Sequence, residues 1–442
     1  MNTPHHDLIG IGIGPFNLGL AALLEPITEV STLFLEKKAS FRWHDGIILP
    51  GTKLQVPFLA DLVTMADPTS RFSYLNYLHL QDRIYKFYYY DRFLIPREEY
   101  DHYCRWVSEQ LPSCHFGMEV RDVRPSCDHD GFVVNGVDSY NREFIFGARN
   151  VAVGVGTVPN IPSWACIDTR HPVFHTSAFR DHRDKLSRAR RVTVIGSGQS
   201  AAECVLALYQ DLSPDAIRAG SSIHWITRSP GFYPMEHSKI GQECFTPAYM
   251  EHFHRLDRSQ RRKVVKQQGL LYKGISIDTI SDIFDMMYER SIGGKAAGLT
   301  LMSDCIPGLL EDCGHDGLRL TLHHRNLDAP SFVTTDSIVL GTGYQHVWPD
   351  WMGELKKSVL ACDENGDFIV DQDFTARRID GKKGKIFVQN AEVFQHGVGS
   401  PDLGLGPYRN GIIINQLTGG EHYRTIRDTS FQTFGLPAPS YS

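Results

Sequence analysis

Two glycine-rich stretches have the spacing of dinucleotide-binding turns, and the first is GIGPFN. Gly12 permits a tight turn, and Gly14 lacks the Cβ atom that would hold a pyrophosphate away from the backbone. Pro15 and Phe16 lead into a helix predicted to begin after Asn17, whose free N–H groups and positive dipole end favour the same pyrophosphate. Asn17 stands where the third glycine of this motif is usual. The stretch therefore predicts a nucleotide site.

The strand predicted after this turn ends in an acid. Segment 31–38 reads STLFLEKK, and Glu36 lies 24 residues after Gly12. An acid at about this distance binds a ribose hydroxyl group in dinucleotide-binding domains. The first turn thus predicts a nucleotide with an unphosphorylated ribose, as in FAD.

The second turn, GSGQSAAE, contains Gly196, Gly198 and Ala201 between a predicted strand and a predicted helix. Its following strand, within 221–230, ends in Thr227 and Arg228 instead of an acid. An arginine at this position can neutralise a 2′-phosphate, which favours NADPH over NADH. The alternative is that Arg228 is an ordinary surface charge.

Two further predicted strands end in glycines, within 148–164 and within 334–348. Bare backbone at such ends fits chains that cross between domains beside bound cofactors, although ordinary strand-to-loop turns would look similar. We therefore predict an α/β protein with two Rossmann-like domains and a substrate pocket at their interface. The FAD domain would span 1–185 plus 335–442. The NADPH domain, 188–330, would be inserted into it and carry the substrate-pocket helices.

Composition excludes several other classes of protein. The 442 residues carry a net charge of −6 and are 42% hydrophobic, which gives no electrostatic footprint for nucleic acid. We read the basic clusters 180–191 and 261–263 as a linker edge and as solvated surface. Nine cysteines without ligand spacing predict reduced thiols in a cytoplasm and no metal site. Glycines interrupt the apolar stretch 8–24, so we expect neither a membrane helix nor a signal peptide.

Longer motifs resemble a known family. FRWHDG (41–46), LQVPFLAD (54–61), VTVIGSGQSAAE (192–203) and LGTGY (340–344) are similar to the microbial N-hydroxylating flavin monooxygenases of hydroxamate siderophore biosynthesis. The resemblance covers nearly the whole chain. It implies that NADPH reduces FAD, that O2 adds at the flavin C4a atom, and that a primary amine is oxidised to an N-hydroxylamine. It also implies a homo-oligomer, either a tetramer or a dimer.

The resemblance also implies roles for individual residues. Trp43, His44 and Gln55 would line the flavin, and Leu54 would lie at the isoalloxazine edge. Taken alone, Trp43 and His44 fit core and surface positions, and Gln55 could satisfy backbone groups. The remaining cofactor contacts would be Glu36 and Lys38 for the FAD adenosine, Gln199 and Ser200 in the NADPH turn, and Gly343 and Tyr344 at the crossing.

The segment ending at Asp61 departs from the amino acid hydroxylases of this family. Those enzymes read Q-x-x-F-x-K-D, with a lysine that pairs with the substrate carboxylate, and here Ala60 replaces the lysine. An unpaired carboxylate in a closed pocket would be costly. Gln242 and Leu271 likewise stand where relatives carry asparagine.

We therefore expect a diamine substrate, cadaverine or putrescine, as in the desferrioxamine and alcaligin pathways. The alternatives are lysine N6- or ornithine N5-hydroxylation, with Lys53 or Arg409 supplying the cation. More remote alternatives are another class B monooxygenase, a disulfide reductase or a non-catalytic dinucleotide sensor. The far ammonium group of a diamine would pair with Glu243, with Asp402, or with the aromatic run 87–93, which could instead be a packing or subunit interface.

Overall fold

The computed structural model describes residues 4–327, 330–426 and 428–435. Its strands are β1 His5–Ile11, β2 Thr32–Glu36, β3 Cys114–Phe116, β4 Met118–Pro125, β5 Phe132–Asp138, β6 Glu143–Val153, β7 Val158–Pro159, β8 Val173–His175, β9 Arg191–Ile195, β10 Ser222–Ile226, β11 Leu299–Met302, β12 Cys305–Asp312, β13 Leu318–His324, β14 Pro330–Thr335, β15 Ser337–Leu340, β16 Tyr344–Gln345 and β17 Ile386–Val388.

The α-helices surround these strands. They are α1 Pro15–Leu24, α2 Tyr74–Leu80, α3 Ile84–Tyr90, α4 Arg97–Gln110, α5 Phe179–Leu186, α6 Gln199–Asp211, α7 Pro214–Arg218, α8 Pro247–Arg255, α9 Arg258–Gln267, α10 Ile277–Ser291, α11 Asp350–Ser358, α12 Val393–His396 and α13 Gly406–Thr418. Within the described ranges, none of them is both long enough and apolar enough to cross a membrane.

The first sheet has the order β3-β2-β1-β6-β5-β4, with β17 also paired to β6. β1 runs parallel to β2 and β6, and its last four residues are buried because both faces are covered. Leu8 packs with helices α1 and α13 on one face, and Ile9 packs with α11 on the other. Strand β1 of this sheet leads directly into the first glycine turn.

The second sheet is parallel throughout, in the order β11-β10-β9-β15-β8. In the chain, all strands of the second sheet come after β6 and before β17, which both belong to the first sheet. This order is expected for an inserted domain. The predicted boundaries are wrong, however. β8 lies before residue 185 and β15 lies after residue 335, yet both hydrogen-bond into the second sheet. Segment 180–191 is not a linker edge, because it contains most of helix α5, whose Phe179 is fully buried.

Two smaller sheets complete the architecture. β12, β13 and β14 form an antiparallel sheet that packs against the second sheet. β7 pairs with β16, so the two chain crossings between the large sheets are hydrogen-bonded to each other. All nine cysteines lie in the described part of the chain and all are free thiols. The described part of the chain contains no cluster of His, Cys, Asp and Glu side chains that could hold a metal ion.

Candidate active site

The first glycine turn has the conformation that its sequence predicts. Gly12 has φ of +85°, and a Cβ atom there would lie 2.4 Å from the Gly154 carbonyl oxygen. At Gly14 a Cβ atom would project into open space, so the backbone there is approachable. Gly14 is also the N-cap of α1 and makes no side-chain cap, which leaves the helix N–H groups free. These features fit a pyrophosphate.

Asn17 has a different role from the predicted cofactor contact. It is fully buried, and its amide nitrogen donates to the carbonyl oxygens of Gly12 at 2.8 Å and of Ile11 and Ala152 at 3.3 Å. These bonds tie the turn to the neighbouring strand β6. Asn17 therefore braces the turn from behind instead of facing a ligand.

Glu36 ends β2 beside the same turn. One carboxylate oxygen accepts from the Ile13 N–H and the other accepts from the Lys38 N–H, each at 2.9 Å. A carboxylate offers about four lone-pair sites, so capacity remains for ribose hydroxyl groups. The Lys38 side chain is exposed nearby. The structure thus places both predicted adenosine contacts at the carboxyl edge of the first sheet.

The second turn repeats the backbone geometry. Gly196 has φ of +129°, and a Cβ atom there would lie 2.1 Å from the Gly341 carbonyl oxygen. Gly198 caps α6 without a side-chain bond, and Ser200 is the second residue of that helix. Ala201 is buried where a Cβ on Gly341 would come within 2.5 Å of it, so only small residues fit at this contact.

Two arginine side chains lie near the end of β10. Thr227 is buried, and Arg228 is exposed beside the second turn. Arg325 lies next to it, because its guanidinium donates to the Arg228 carbonyl oxygen at 3.0 Å. Sequence reasoning missed Arg325, which lies 97 residues away in the chain. Both fit a phosphorylated ribose.

The rings of Trp43, His44, Tyr344 and His175 form a continuous aromatic cluster. The Trp43 backbone N–H donates to the Asp101 carboxylate at 2.8 Å, and the Trp43 ring centre lies 4.8 Å from that of His44. Tyr344 lies 5.6 Å from the His44 ring and 4.9 Å from the His175 ring. Gly343, with φ of +78°, has open space at its Cβ position.

His44 is exposed to solvent at the cleft, with neighbouring protein groups on its other sides. Burial lowers the pKa of His44 to about 4, and the charges of Arg97 and Lys38 act in the same direction. The ring is therefore neutral at neutral pH. A neutral imidazole offers one donor and one acceptor to a ligand.

Gln55 reaches across the domain boundary. Its amide nitrogen lies 3.4 Å from the Gln199 amide oxygen at the start of α6. Leu54 is buried, and its N–H donates to the Ile95 carbonyl oxygen at 2.9 Å. The segment containing both residues is thus held by backbone bonds on the first domain while its glutamine contacts the second.

Ala60 and Asp402 border the same point in the fold. A Cβ atom on Gly404 would lie 3.0 Å from the Asp402 carboxylate and 3.6 Å from the Ala60 Cβ. Ala60 is buried, and burial raises the pKa of Asp402 to about 6. The neighbouring Asp61 is structural, since it accepts four hydrogen bonds from Val63, Thr64 and Tyr74.

A narrow crevice of about 10 Å³ lies between the first turn and the start of α13, beside Asp61 and Leu62. Its lining includes Pro15, Phe16, Tyr100, Leu403, Gly406 and Pro407. Residues from the first turn and from the start of α13 therefore enclose one continuous space. Phe16 also lies under the guanidinium of Arg409, 4.9 Å from its ring centre.

Two of the predicted substrate residues are engaged elsewhere. The Glu243 carboxylate accepts from the N–H groups of Phe431 and Gln432 at 2.8 and 2.9 Å, which lowers its pKa. The Gln242 amide donates to the Glu236 carbonyl oxygen at 2.5 Å. Glu243 therefore holds the backbone at residues 431–432, and its predicted contact with an ammonium group stays a prediction. Leu271 is half-buried in an apolar cluster with Val398.

Arg409 is not available as a replacement cation. It is fully buried and pairs with Glu392, likewise fully buried, at 3.2 Å. In the aromatic run 87–93, Tyr88 and Tyr89 are 73% and 81% exposed, whereas Phe87 and Phe93 pack against Phe58. Arg261 differs from the expected solvated surface, because it is buried and donates to Gln395 at 2.8 Å.

Comparison with known proteins now decides the family. Residues 4–346 match the family described as L-lysine 6-monooxygenase/L-ornithine 5-monooxygenase. The chain belongs to this family. It is 59% identical to the rhizobactin siderophore biosynthesis protein RhbE of Rhizobium meliloti, over 98% of this chain and 95% of that protein. It is 40% identical to the putrescine N-hydroxylase of Shewanella oneidensis, over 97% of this chain and 84% of that protein.

Solved structures agree with this family assignment. FAD-bound DfoA, the cadaverine monooxygenase of the desferrioxamine pathway of Erwinia amylovora, superposes with a TM-score of 0.92 at 35% identity, covering 99% of this chain and 100% of that chain. The Kutzneria ornithine N-hydroxylase with reduced FAD, NADP+ and L-ornithine gives 0.86 at 27% identity, covering 94% and 99%. This member of the flavin N-monooxygenase family uses FAD and NADPH and hydroxylates an amine for siderophore biosynthesis.

Proposed function

We propose that this enzyme N-hydroxylates one terminal amine of a diamine, cadaverine or putrescine. The reaction consumes the diamine, O2, NADPH and a proton, and it yields the N-hydroxylamine, water and NADP+. The observation that carries the proposal is that Ala60 and the Asp402 carboxylate both lie within 3.6 Å of the Cβ position at Gly404. The names of the putrescine and cadaverine enzymes among the similar proteins support it.

The charge at this point suits an ammonium group and not a carboxylate. Ala60 removes the cation that the amino acid hydroxylases carry, and Arg409 is already neutralised by Glu392. Asp402 adds an anion in a desolvated position, where its carboxylate accepts the Leu405 N–H at 3.3 Å and forms no ion pair in the described part of the chain. A buried charge of this kind is costly unless a ligand pairs with it, so Asp402 is poised for a substrate cation.

The two ends of a diamine would then meet different environments. The far ammonium group pairs with Asp402 and stays charged. The reacting amine has to be neutral to act as a nucleophile, and its free pKa is about 10.4, like that of lysine. Desolvation favours the neutral form, and the apolar lining with Leu403 and Tyr100 supplies it.

The cofactor residues have matching roles in this proposal. FAD and NADPH, when bound, supply the electrons that activate O2. Gly14 and Glu36 hold the FAD pyrophosphate and ribose, with Lys38 beside them. Gly198, Ser200 and Arg228 hold NADPH. The residues at the crossing between the domains exclude water from the reacting atoms and fix the flavin ring: Trp43, His44, Leu54, Gln55, Gly343 and Tyr344.

A specificity exchange tests the proposal. Ala60→Lys should weaken diamine turnover and admit lysine or ornithine, because it restores a cation beside Asp402. Ala60→Met is the matched control, with similar length and no charge. If Ala60→Lys and Ala60→Met have the same substrate profile, the charge at residue 60 does not select the substrate.

Asp402→Asn tests the other half of the site. Removing one partner of a buried charge pair costs about 3–5 kcal/mol, so the diamine KM should rise at least about 100-fold. The wild-type affinity for a diamine should also fall as the pH falls through about 6, because only ionised Asp402 attracts an ammonium group. Asp402→Asn should remove this pH dependence, and a retained dependence would assign it to another group.

Other features stay predictions. We infer a cytoplasmic homo-oligomer, tetramer or dimer, from the free cysteines and the family resemblance. Mass photometry of the purified enzyme would decide the oligomeric state, and a monomer would contradict it.

A further inference from the structure

A chain of polar contacts crosses from the first domain to the second beneath Gln55. Arg97, the first residue of α4, donates to Glu203 of α6 at 2.7 Å. The two side chains are only 12% and 4% exposed. Glu203 then accepts from Gln199 at 2.8 Å, and Gln199 meets Gln55 at 3.4 Å. None of the described contacts of Arg97 or Glu203 places them against the reacting atoms.

The orientation of the Gln199 amide is fixed from two sides. Its oxygen accepts the backbone N–H of Ser276 at 2.7 Å, and a backbone N–H can only donate. Its nitrogen donates to the ionised Glu203 carboxylate, which can only accept. Both partners require the same orientation, and the amide nitrogen also donates to the Thr279 hydroxyl at 3.2 Å.

This orientation passes to Gln55. The Gln199 amide oxygen faces Gln55, so Gln55 donates a hydrogen bond to it from its amide nitrogen. The Gln55 amide oxygen is then left as the group that faces the cleft. The backbone on either side of Gln55 is held too, since the Arg97 Nε donates to the Lys53 carbonyl oxygen at 3.1 Å.

We propose that the Arg97–Glu203 ion pair is a positioning pair that makes Gln55 present a hydrogen-bond acceptor to the flavin and nicotinamide. It acts through Gln199 and couples the closed arrangement of the two domains to the polarity of the active site. This inference rests on the proposed placement of Gln55 beside the cofactors, and not on the identity of the amine.

The substitution Glu203→Gln should reverse this polarity. The new amide has to give its oxygen to Arg97, which leaves its nitrogen facing Gln199. Gln199 then meets a donor on two sides, the nitrogen of residue 203 and the Ser276 N–H, and it can pair with residue 203 by turning its oxygen away from Ser276. The same turn makes Gln55 offer its amide nitrogen to the cofactors instead of its oxygen.

An exchange variant restores the polarity while keeping the total charge. In Gln199→Glu with Glu203→Gln, residue 199 accepts from Ser276, from Gln55 and from residue 203. Residue 203 gives its oxygen to Arg97. Every contact again has one donor and one acceptor, so Gln55 keeps the wild-type orientation. The matched control is Arg378→Gln, which breaks an ion pair of similar burial to Asp380 within one domain.

The experiment uses the FAD-loaded enzyme without any amine. The first readout is the change in the visible flavin spectrum on saturation with NADP+. The second is the rate of H2O2 release at saturating NADPH. Glu203→Gln should alter the spectral change and speed H2O2 release about fivefold or more, the effect of about 1 kcal/mol for one hydrogen bond. Arg378→Gln should stay within about twofold of wild type, and the exchange variant should return both readouts from the Glu203→Gln values toward those of wild type.

Wild-type values for Glu203→Gln in both readouts would overturn the inference. If Glu203→Gln does not retain FAD, the exchange variant decides, since recovery of FAD binding supports the pair and loss of FAD in both variants overturns it. Failure of the diamine proposal would leave these readouts unchanged, because neither uses an amine.

Discussion

The two glycine turns share a backbone and differ in what surrounds it. Gly12 and Gly196 both have positive φ, and a side chain at either would strike a carbonyl of a neighbouring strand end. At the third motif position Asn17 ties three carbonyls together, whereas Ala201 only packs against bare backbone. The turns are thus one solution for a pyrophosphate, braced in two ways.

The strand that follows each turn makes the chemical difference. Glu36 ends β2 with a carboxylate suited to ribose hydroxyl groups, and Arg228 follows β10 with a cation suited to a phosphate. Nucleotide selection therefore lies outside the glycine motif, at the next strand end. This division allows one fold to be used twice in a chain for two cofactors.

The largest expected effect separates the turns by their cofactors. Gly12→Ala should cost about 3 kcal/mol or more, from backbone strain and the clash with Gly154, and give protein without flavin. Gly196→Ala suffers a similar clash with Gly341 but should retain flavin and lose reduction by NADPH. Flavin absorbance per protein and anaerobic reduction check both. Equal loss of flavin in the two variants would contradict separate sites.

The next effect concerns the strand end of the second turn. Arg228→Ala should raise the KM for NADPH about 10- to 100-fold, since a charged hydrogen bond contributes about 1.5–3 kcal/mol, and leave NADH use unchanged. Arg218→Ala, an exposed arginine paired with Asp215, is the control. An equal rise for NADH would show that Arg228 does not contact a 2′-phosphate.

Asn17 and Ala201, at the third motif position of the two turns, should contribute different amounts to the free energy of unfolding. Asn17→Ala leaves buried carbonyls without their donor and should cost about 1–3 kcal/mol, seen as a lower melting temperature. Ala201→Gly removes one methyl group and should cost about 1 kcal/mol. Thermal unfolding with FAD bound checks this order, and a larger loss at Ala201 would reverse our reading of the two braces.

The smallest effect is expected at Arg325. Its guanidinium is half exposed and also pairs with Asp304 at 3.5 Å, so its contribution to NADPH binding should be about 0.5–1 kcal/mol. Arg325→Ala should raise the KM for NADPH about two- to fivefold at low salt, and less at high salt. A salt-independent change would indicate a structural role instead.

Local backbone rules made much of the fold predictable from sequence. The turns at Gly12 and Gly196 require glycine whatever else the chain does, and β1 and β9 precede them as buried strands. The family motif likewise led to Ala60. The domain boundaries were misplaced because β8 has three residues and β15 has four, too short to show which sheet they join.

Contacts between distant residues were not predictable in the same way. Nothing near Arg97 in sequence indicates Glu203, 106 residues later, and nothing near Glu243 indicates the backbone at Phe431. Such partners are set by how the domains pack. The sequence made Asp402 a candidate substrate contact because of the loop it lies in. That Asp402 and Ala60 both lie close to Gly404 is visible only in the folded structure.

The central claim is that this enzyme hydroxylates diamines and not amino acids. The most direct test measures hydroxylamine product with FAD and NADPH, using cadaverine, putrescine, lysine and ornithine side by side. We predict product from one or both diamines, and little or none from lysine or ornithine. Efficient hydroxylation of lysine or ornithine would contradict the claim and remove Ala60 and Asp402 as the basis of substrate choice.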